Sequence, residues 1–202
     1  MIAGKSKRHN KERGVKMKIA FSVLSIAAVF SGAAIAQDWQ EVNVSGFTLR
    51  WATISATELS VELSAPTTGW VAVGFDPTAG MQDANILIGY VASGITEIRD
   101  DFGIAPTSHT ADTTLGGTND FTIDGGSESG GTTEIQFTIP LNSGDQYDRE
   151  LITGNMYTVI LARGPDGADD FTTYHEAYAS TQIELWALAL DSDTWGRIKT
   201  SI

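Results

Sequence analysis

The chain has 202 residues, 42% hydrophobic and 19% charged, with a formal net charge of −12; this suits one folded domain with a real core and excludes a disordered polymer. It holds no cysteine, which excludes disulfides, thiolate metal sites, iron–sulfur clusters, covalently attached haem, a cysteine nucleophile and an acylated lipoprotein anchor. So acidic a chain is also not built for a sequence-independent grip on nucleic acid.

Residues 1–36 read as a cleaved signal peptide. Lys5, Lys7, Arg8, Lys11, Arg13, Lys16 and Lys18 form a basic stretch, and an apolar run from Ile19 to Phe30 follows. Ala34-Ile35-Ala36 before Gln37 has the small-x-small form that a signal peptidase pocket admits. The basic part is long for a leader, which makes Met17 an alternative start. A retained membrane anchor is the competing reading, because the run with its small-residue end reaches about the minimum spanning length. The whole chain has 13 basic and 25 acidic residues, and seven and one of these lie in the first 36. Residues 37–202 therefore keep six basic against 24 acidic residues, a net charge of −18. The expectation is a single domain over 37–202, periplasmic or extracellular, with no stable membrane insertion once the leader is gone. Its charge favours a partner with a basic face, or serves solubility alone.

Beyond Gln37 the apolar segments alternate at period two or form short β-branched runs. Strands are predicted at 42–44 with 47–51, at 59–63, 70–75 and 86–91, and at 95–98 after a tight turn at Ser93-Gly94. More follow at 121–123 and 134–139, flanking a Gly/Ser turn at 125–131, and at 157–161 and 183–186. The runs at 70–75 and 86–91 are apolar throughout, as in central strands. No stretch has a convincing helical period. The prediction is an all-β, antiparallel, immunoglobulin-like sandwich with long connections at 76–84, 102–118 and 164–180.

Those connections hold the chemically interesting residues. Past the leader there are two histidines, His109 and His175, and two methionines, Met81 and Met156. A cluster of several histidines is thus impossible, and no Gly-x-Ser-x-Gly elbow occurs. Met81 lies in the polar turn Asp76-Pro77-Thr78-Ala79-Gly80-Met81-Gln82-Asp83. Its thioether either ligates haem iron or copper or plugs the end of the sandwich. His175, in Phe171-Thr172-Thr173-Tyr174-His175-Glu176, either ligates a metal between aromatic walls or bonds a neighbour such as Glu176. His109 carries the same two readings. Asp166-Gly167-Ala168-Asp169-Asp170 is a candidate calcium loop without the helix–loop–helix spacing.

Taken together, Gly69-Trp70-Val71-Ala72-Val73-Gly74-Phe75, Gly80-Met81-Gln82-Asp83-Ala84-Asn85, Ile86-Leu87-Ile88-Gly89-Tyr90-Val91, Tyr157 to Arg163 and Tyr174-His175 resemble the DOMON family. The similarity is to its haem-binding type, as in the cytochrome domain of cellobiose dehydrogenase, and covers about residues 40–187. The resemblance implies a β-sandwich holding non-covalent haem b, with Met81 and His175 as axial iron ligands. It implies electron transfer to or from a redox partner protein, with no catalysis by the domain itself. Trp70, Phe75, Tyr90, Phe171 and Tyr174 are then candidate pocket walls. Arg163 would meet a propionate, or else balance Asp166, Asp169 or Asp170. Other members bind sugars, so a haem-free carbohydrate- or small-ligand-binding module is the alternative. Simple strand alternation sets the Met81 and His175 loops at opposite ends. It thereby asks 102–118 or 140–155 to run the length of the sandwich.

Overall fold

The computed structural model describes Met1 and residues 38–188; apart from Met1, the expected leader lies outside the described residues. In chain order the strands are β1 (Gln40–Val44), β2 (Phe47–Thr53), β3 (Glu58–Ala65), β4 (Val71–Phe75), β5 (Asn85–Ala92), β6 (Ile95–Ala105), β7 (Ser108–Ala111), β8 (Thr122–Ser129), β9 (Thr132–Pro140), β10 (Met156–Arg163) and β11 (Ala177–Glu184). One short helix, α1 (Asp112–Leu115), interrupts them. Five strands form a sheet in the order β1-β2-β3-β9-β8, and six form a second in the order β11-β10-β4-β5-β6-β7. All pairings are antiparallel. This is the expected all-β antiparallel sandwich.

The main core lies between the sheets. Leu49, Val61, Leu63, Ile135 and Phe137 come from the five-stranded sheet, and Val73, Phe75, Leu87 and Val159 from the six-stranded one. In β2, β3 and β9 these residues alternate with polar ones such as Arg50, Glu62 and Gln136, the pattern of a sheet wet on one side. β4 and β5 break that pattern. All of β4 is buried, as are the first five residues of β5. Their outward residues Ala72, Ile86 and Ile88 form a second apolar cluster with Trp70, Ala84 and Ala168.

Ser93 and Gly94 take positive φ values of 53° and 77°, so the predicted tight turn is a real one between β5 and β6. Three other boundaries differ from expectation. The supposed turn at 125–131 is mostly strand. β8 runs to Ser129, and only Gly130-Gly131, at φ 61° and 77°, turn the chain. Its Gly/Ser composition belongs to an exposed edge, where little side-chain packing marks a strand. The connection 102–118 contains the end of β6, all of β7 and α1. β11 begins at Ala177, six residues early, because its exposed alternate positions carry no apolar signal.

Candidate functional site

The register of β4 fixes which side chains face outward. Val71, Val73 and Phe75 join the core between the sheets, while Ala72 and Gly74 line a cleft on the outer face. Ile86 and Ile88 of β5 and Ile160 and Ala162 of β10 complete its floor. Gly74 keeps that floor shallow. A Cβ there would stand 2.8 Å from Ile160 Cγ1 and 3.1 Å from Ile86 Cγ1. The cleft measures about 650 Å³, within the usual size of a small-molecule or cofactor site. It continues toward Arg99 and Phe171 as a second hollow of about 410 Å³ that shares Met81, Trp70, His109, Tyr174 and His175.

Arg163 pairs with Val71 and with Ala177, and Val159 with Phe75. The loop after β4 therefore leaves one end of the sheet, and the segment before β11 arrives at the other. The predicted opposition of the two loops is correct, but no connection has to run the length of the sandwich. Both loops fold over the same outer face, and Met81 and His175 line one cleft.

Backbone contacts lock the Met81 loop. Met81 N donates to Pro106 O at 3.0 Å, and Asp83 N to Gly103 O at 2.7 Å. Gly103 is obligatory, since a Cβ there would fall 1.6 Å from Met81 O. Gly80, at φ +60°, likewise lets the chain lie against Pro106 O. Met81 packs on the outer apolar cluster, so it does not plug the end of the main core.

The His175 segment hangs from Trp70. The Trp70 indole N–H donates to Thr173 O at 3.2 Å, and Gly164 lies flat against the same ring. Asp170 ties the loop from within, accepting from the N–H and hydroxyl groups of Thr172 and Thr173. These bonds hold its carboxyl far below the usual range. The His175 ring lies 4.2 Å from that of Tyr174 and 5.3 Å from that of Tyr178. Burial, then the nearby His109, lowers the His175 pKa against a hydrogen bond to its own backbone that favours the cation. A neutral imidazole is the form that ligates a metal. Glu176, the predicted bonding neighbour, is engaged elsewhere.

The other predicted residues divide. Trp70 (4% exposed) and Tyr174 (74% exposed) line the cleft, and Phe171 lines its extension. Tyr90 stands behind Phe171 with ring centroids 5.1 Å apart and is not a lining residue. Phe75 is no wall; strand alternation turns it into the main core. Arg163 neither lines the cleft nor meets the three aspartates. The β10–β11 register sets it beside Glu176, with Nη1 to Oε2 at 2.8 Å. The carboxylates of the candidate calcium loop at 166–170 do not converge as a group of three among the described residues; Asp166 accepts from Thr68 N, and Asp170 is taken by the threonines.

His109 gains a partner that the sequence does not show. Its Nδ1 lies 2.5 Å from Asp101 Oδ2, and Asp101 is also clasped by Arg99. Burial pushes the Asp101 pKa up, but the bonds from His109 and Arg99 outweigh it and bring it below the usual value. The Arg99 guanidinium then lies 4.7 Å over the Phe171 ring. The group leaves the far ring edge of His109 to the cleft.

The family profile of the DOMON domain matches residues 43–164. The chain is 25% identical over 126 residues to DBH-like monooxygenase protein 1 of Homo sapiens, and 27% over 124 residues to the protein of that name in Mus musculus. These matches take 62% and 61% of this chain but 20% of each relative, so the chain spans about a fifth of their length. Among solved structures, the cytochrome b domain of pyranose dehydrogenase from Coprinopsis cinerea aligns with TM-score 0.53 and 15% identity, over 68% of this chain and 75% of that one. The cytochrome domain of Myriococcum thermophilum cellobiose dehydrogenase aligns with TM-score 0.53 and 11% identity, over 73% and 81%. At such identities the likeness is one of fold. Among the described residues no helix is long and apolar enough to cross a membrane.

Proposed function

The chain belongs to the DOMON domain family, and from that premise we propose that it is a b-type cytochrome acting as an electron carrier outside the cytoplasm. The observation that carries this is the convergence of Met81 and His175, from opposite ends of one sheet, on a single apolar cleft. The donor set fits haem b. It offers a soft thioether, an imidazole kept neutral by burial, and a floor of small and branched apolar side chains. Haem held by these two residues would supply a one-electron couple of comparatively high potential.

The chain's own residues do the rest. Ala72, Gly74, Ile86, Ile88 and Ile160 exclude water from the floor. Trp70 holds the segment that presents His175, and the Pro106 turn holds the one that presents Met81. Tyr174 and Tyr178, each 74% exposed, mark the open rim where a redox partner would approach. The net charge of −18 beyond residue 36 matches a partner with a basic docking face. The leader in residues 1–36 would deliver the protein to the periplasm or the cell exterior.

The test is reconstitution of the chain with haemin. The wild type should take up one haem and show a low-spin spectrum with a methionine–iron charge-transfer band. Met81→Ala should lose that band, and His175→Ala should become high-spin or fail to hold haem. His109→Ala should keep the wild-type spectrum; if it alone destroys low-spin binding, the histidine ligand is His109. Wild-type spectra from both Met81→Ala and His175→Ala would refute the ligand pair. The exposed Tyr174 and Tyr178 rims also suit stacking on sugar rings, the second reading. A colourless protein stabilised against heat by an oligosaccharide, and not by haem, would select it.

A further inference from the structure

On the side of β6 opposite the Arg99–Asp101–His109 group, three carboxylates converge where the edges of the two sheets meet. Asp100 comes from β6, Asp112 opens α1, and Asp148 lies in the connection from β9 to β10. One oxygen from each lies within 4.8 Å of the others. Asp100 is 1% exposed and Asp112 0%. Both oxygens of Asp112, Oδ1 of Asp100 and Oδ1 of Asp148 have no hydrogen-bond partner. Among the described residues no basic side chain pairs with any of the three. A buried carboxylate without partners is costly to ionise; Asp112 is wholly buried with neither oxygen bonded, beside Asp100, whose Oδ2 accepts from Asp120 N at 3.1 Å, and the half-buried Asp148.

We infer that Asp100, Asp112 and Asp148 form a binding site for a divalent cation of the calcium class. The donors are all hard oxygens, with no nitrogen or sulfur among them, which disfavours zinc and copper. Calcium suits the site better than magnesium, because carboxylates this buried require the ion to shed water and magnesium dehydrates reluctantly.

The surrounding loops are built to close here. Gly117 N donates to Asp112 O, and the Tyr147 hydroxyl donates to Leu115 O at 3.0 Å. A Cβ at Gly117 would meet Asp145 Oδ2 at 2.7 Å. Asp145 itself is satisfied by N–H groups of Thr118 and Tyr147 and serves the loop. Burial pushes Asp100 up to about 8, Asp112 to about 7 and Asp148 to about 6, and repulsion from neighbouring aspartates adds to it. The cation would clamp β6 to the start of α1 and to the connection from β9 to β10.

The test uses the purified chain stripped of divalent ions with a chelator, then titrated with calcium chloride and, separately, magnesium chloride. Calorimetry should find one calcium per chain, bound at least tenfold more tightly than magnesium. Melting should rise by about 5–10 °C at a hundredfold excess over Kd. Asp112→Asn and Asp148→Asn should each remove the calcium-dependent shift while melting cooperatively; if one fails to fold, the other decides. Asp166→Ala should leave the shift intact. A wild-type chain with no calcium heat and no melting shift at millimolar calcium overturns the inference, as does an undiminished shift in both variants. None of these readouts involves haem, so they stand or fall apart from the cytochrome reading.

Discussion

The two sheets share one core but present opposite outer faces. On the five-stranded sheet the outward residues are polar and satisfy one another. Arg50 meets both oxygens of Glu62 at 3.0 and 2.9 Å, and Gln136 reaches Glu62 and Glu134. On the six-stranded sheet the outward residues of β4, β5 and β10 are Ala, Gly and Ile, roofed by loops from both ends. A sandwich needs only inward apolar residues to fold. An apolar outer face that leaves a cleft of about 650 Å³ instead of closing over is a cost to stability, and it makes sense as a ligand seat.

Glycine substitutions should separate the two faces by the largest margin. Gly103→Ala forces a Cβ onto the Met81 carbonyl and should cost about 3 kcal/mol, displacing Met81 and weakening haem uptake. Gly125→Ala on the other sheet meets only Gln136 Oε1 at 3.5 Å and should change stability by less than about 0.5 kcal/mol. Chemical denaturation of the pair measures both.

The next effect is pH-dependent. Folded, metal-free protein holds protons on Asp100 and Asp112 up to about pH 8 and 7, whereas an unfolded aspartate releases its proton near 3.9. The folded state thus binds more protons, and stability in chelator should fall as pH rises from about 4 to 8. Asp101, whose pKa is lowered, contributes in the opposite sense and only below that window. Denaturant midpoints across the range should show a decline that saturating calcium flattens and that Asp112→Asn reduces.

The two tryptophans separate stability from function. Trp70→Phe loses the bond to Thr173 O, and Trp51→Phe loses the bond to Glu184 O at 2.9 Å. Each should cost about 1 kcal/mol, but only Trp70→Phe should loosen the His175 segment and raise the haem dissociation rate. The smallest effect belongs to the polar face. Arg50→Ala removes a part-exposed ion pair and should cost about 0.5 kcal/mol with an unchanged haem spectrum.

The apolar runs at 70–75 and 86–91 announce central strands because both of their faces are buried. Which residues face the cleft depends on strand parity and on which sheet a strand joins. For that reason Trp70 is legible as a wall while Phe75 is misplaced. Arg163 is misassigned because its partner follows from the pairing of β10 with β11 and not from nearby acids. His109 meets Asp101 only because β6 folds back into β7 through a short turn. The Asp100, Asp112 and Asp148 cluster draws on three distant segments. With 24 acidic residues beyond the leader, carboxylate spacing alone carries no signal, and it points to 166–170, where no three carboxylates converge among the described residues. Met81 and His175 stand out for the opposite reason, since few residues of either type remain once the leader is set aside.

The most direct examination of the central claim is X-ray absorption at the iron edge of the haem-loaded wild-type chain. Ligation by Met81 and His175 should give one sulfur and five nitrogen scatterers around the metal, the sulfur vanishing in Met81→Ala. A shell of nitrogen and oxygen alone in the wild type would contradict it.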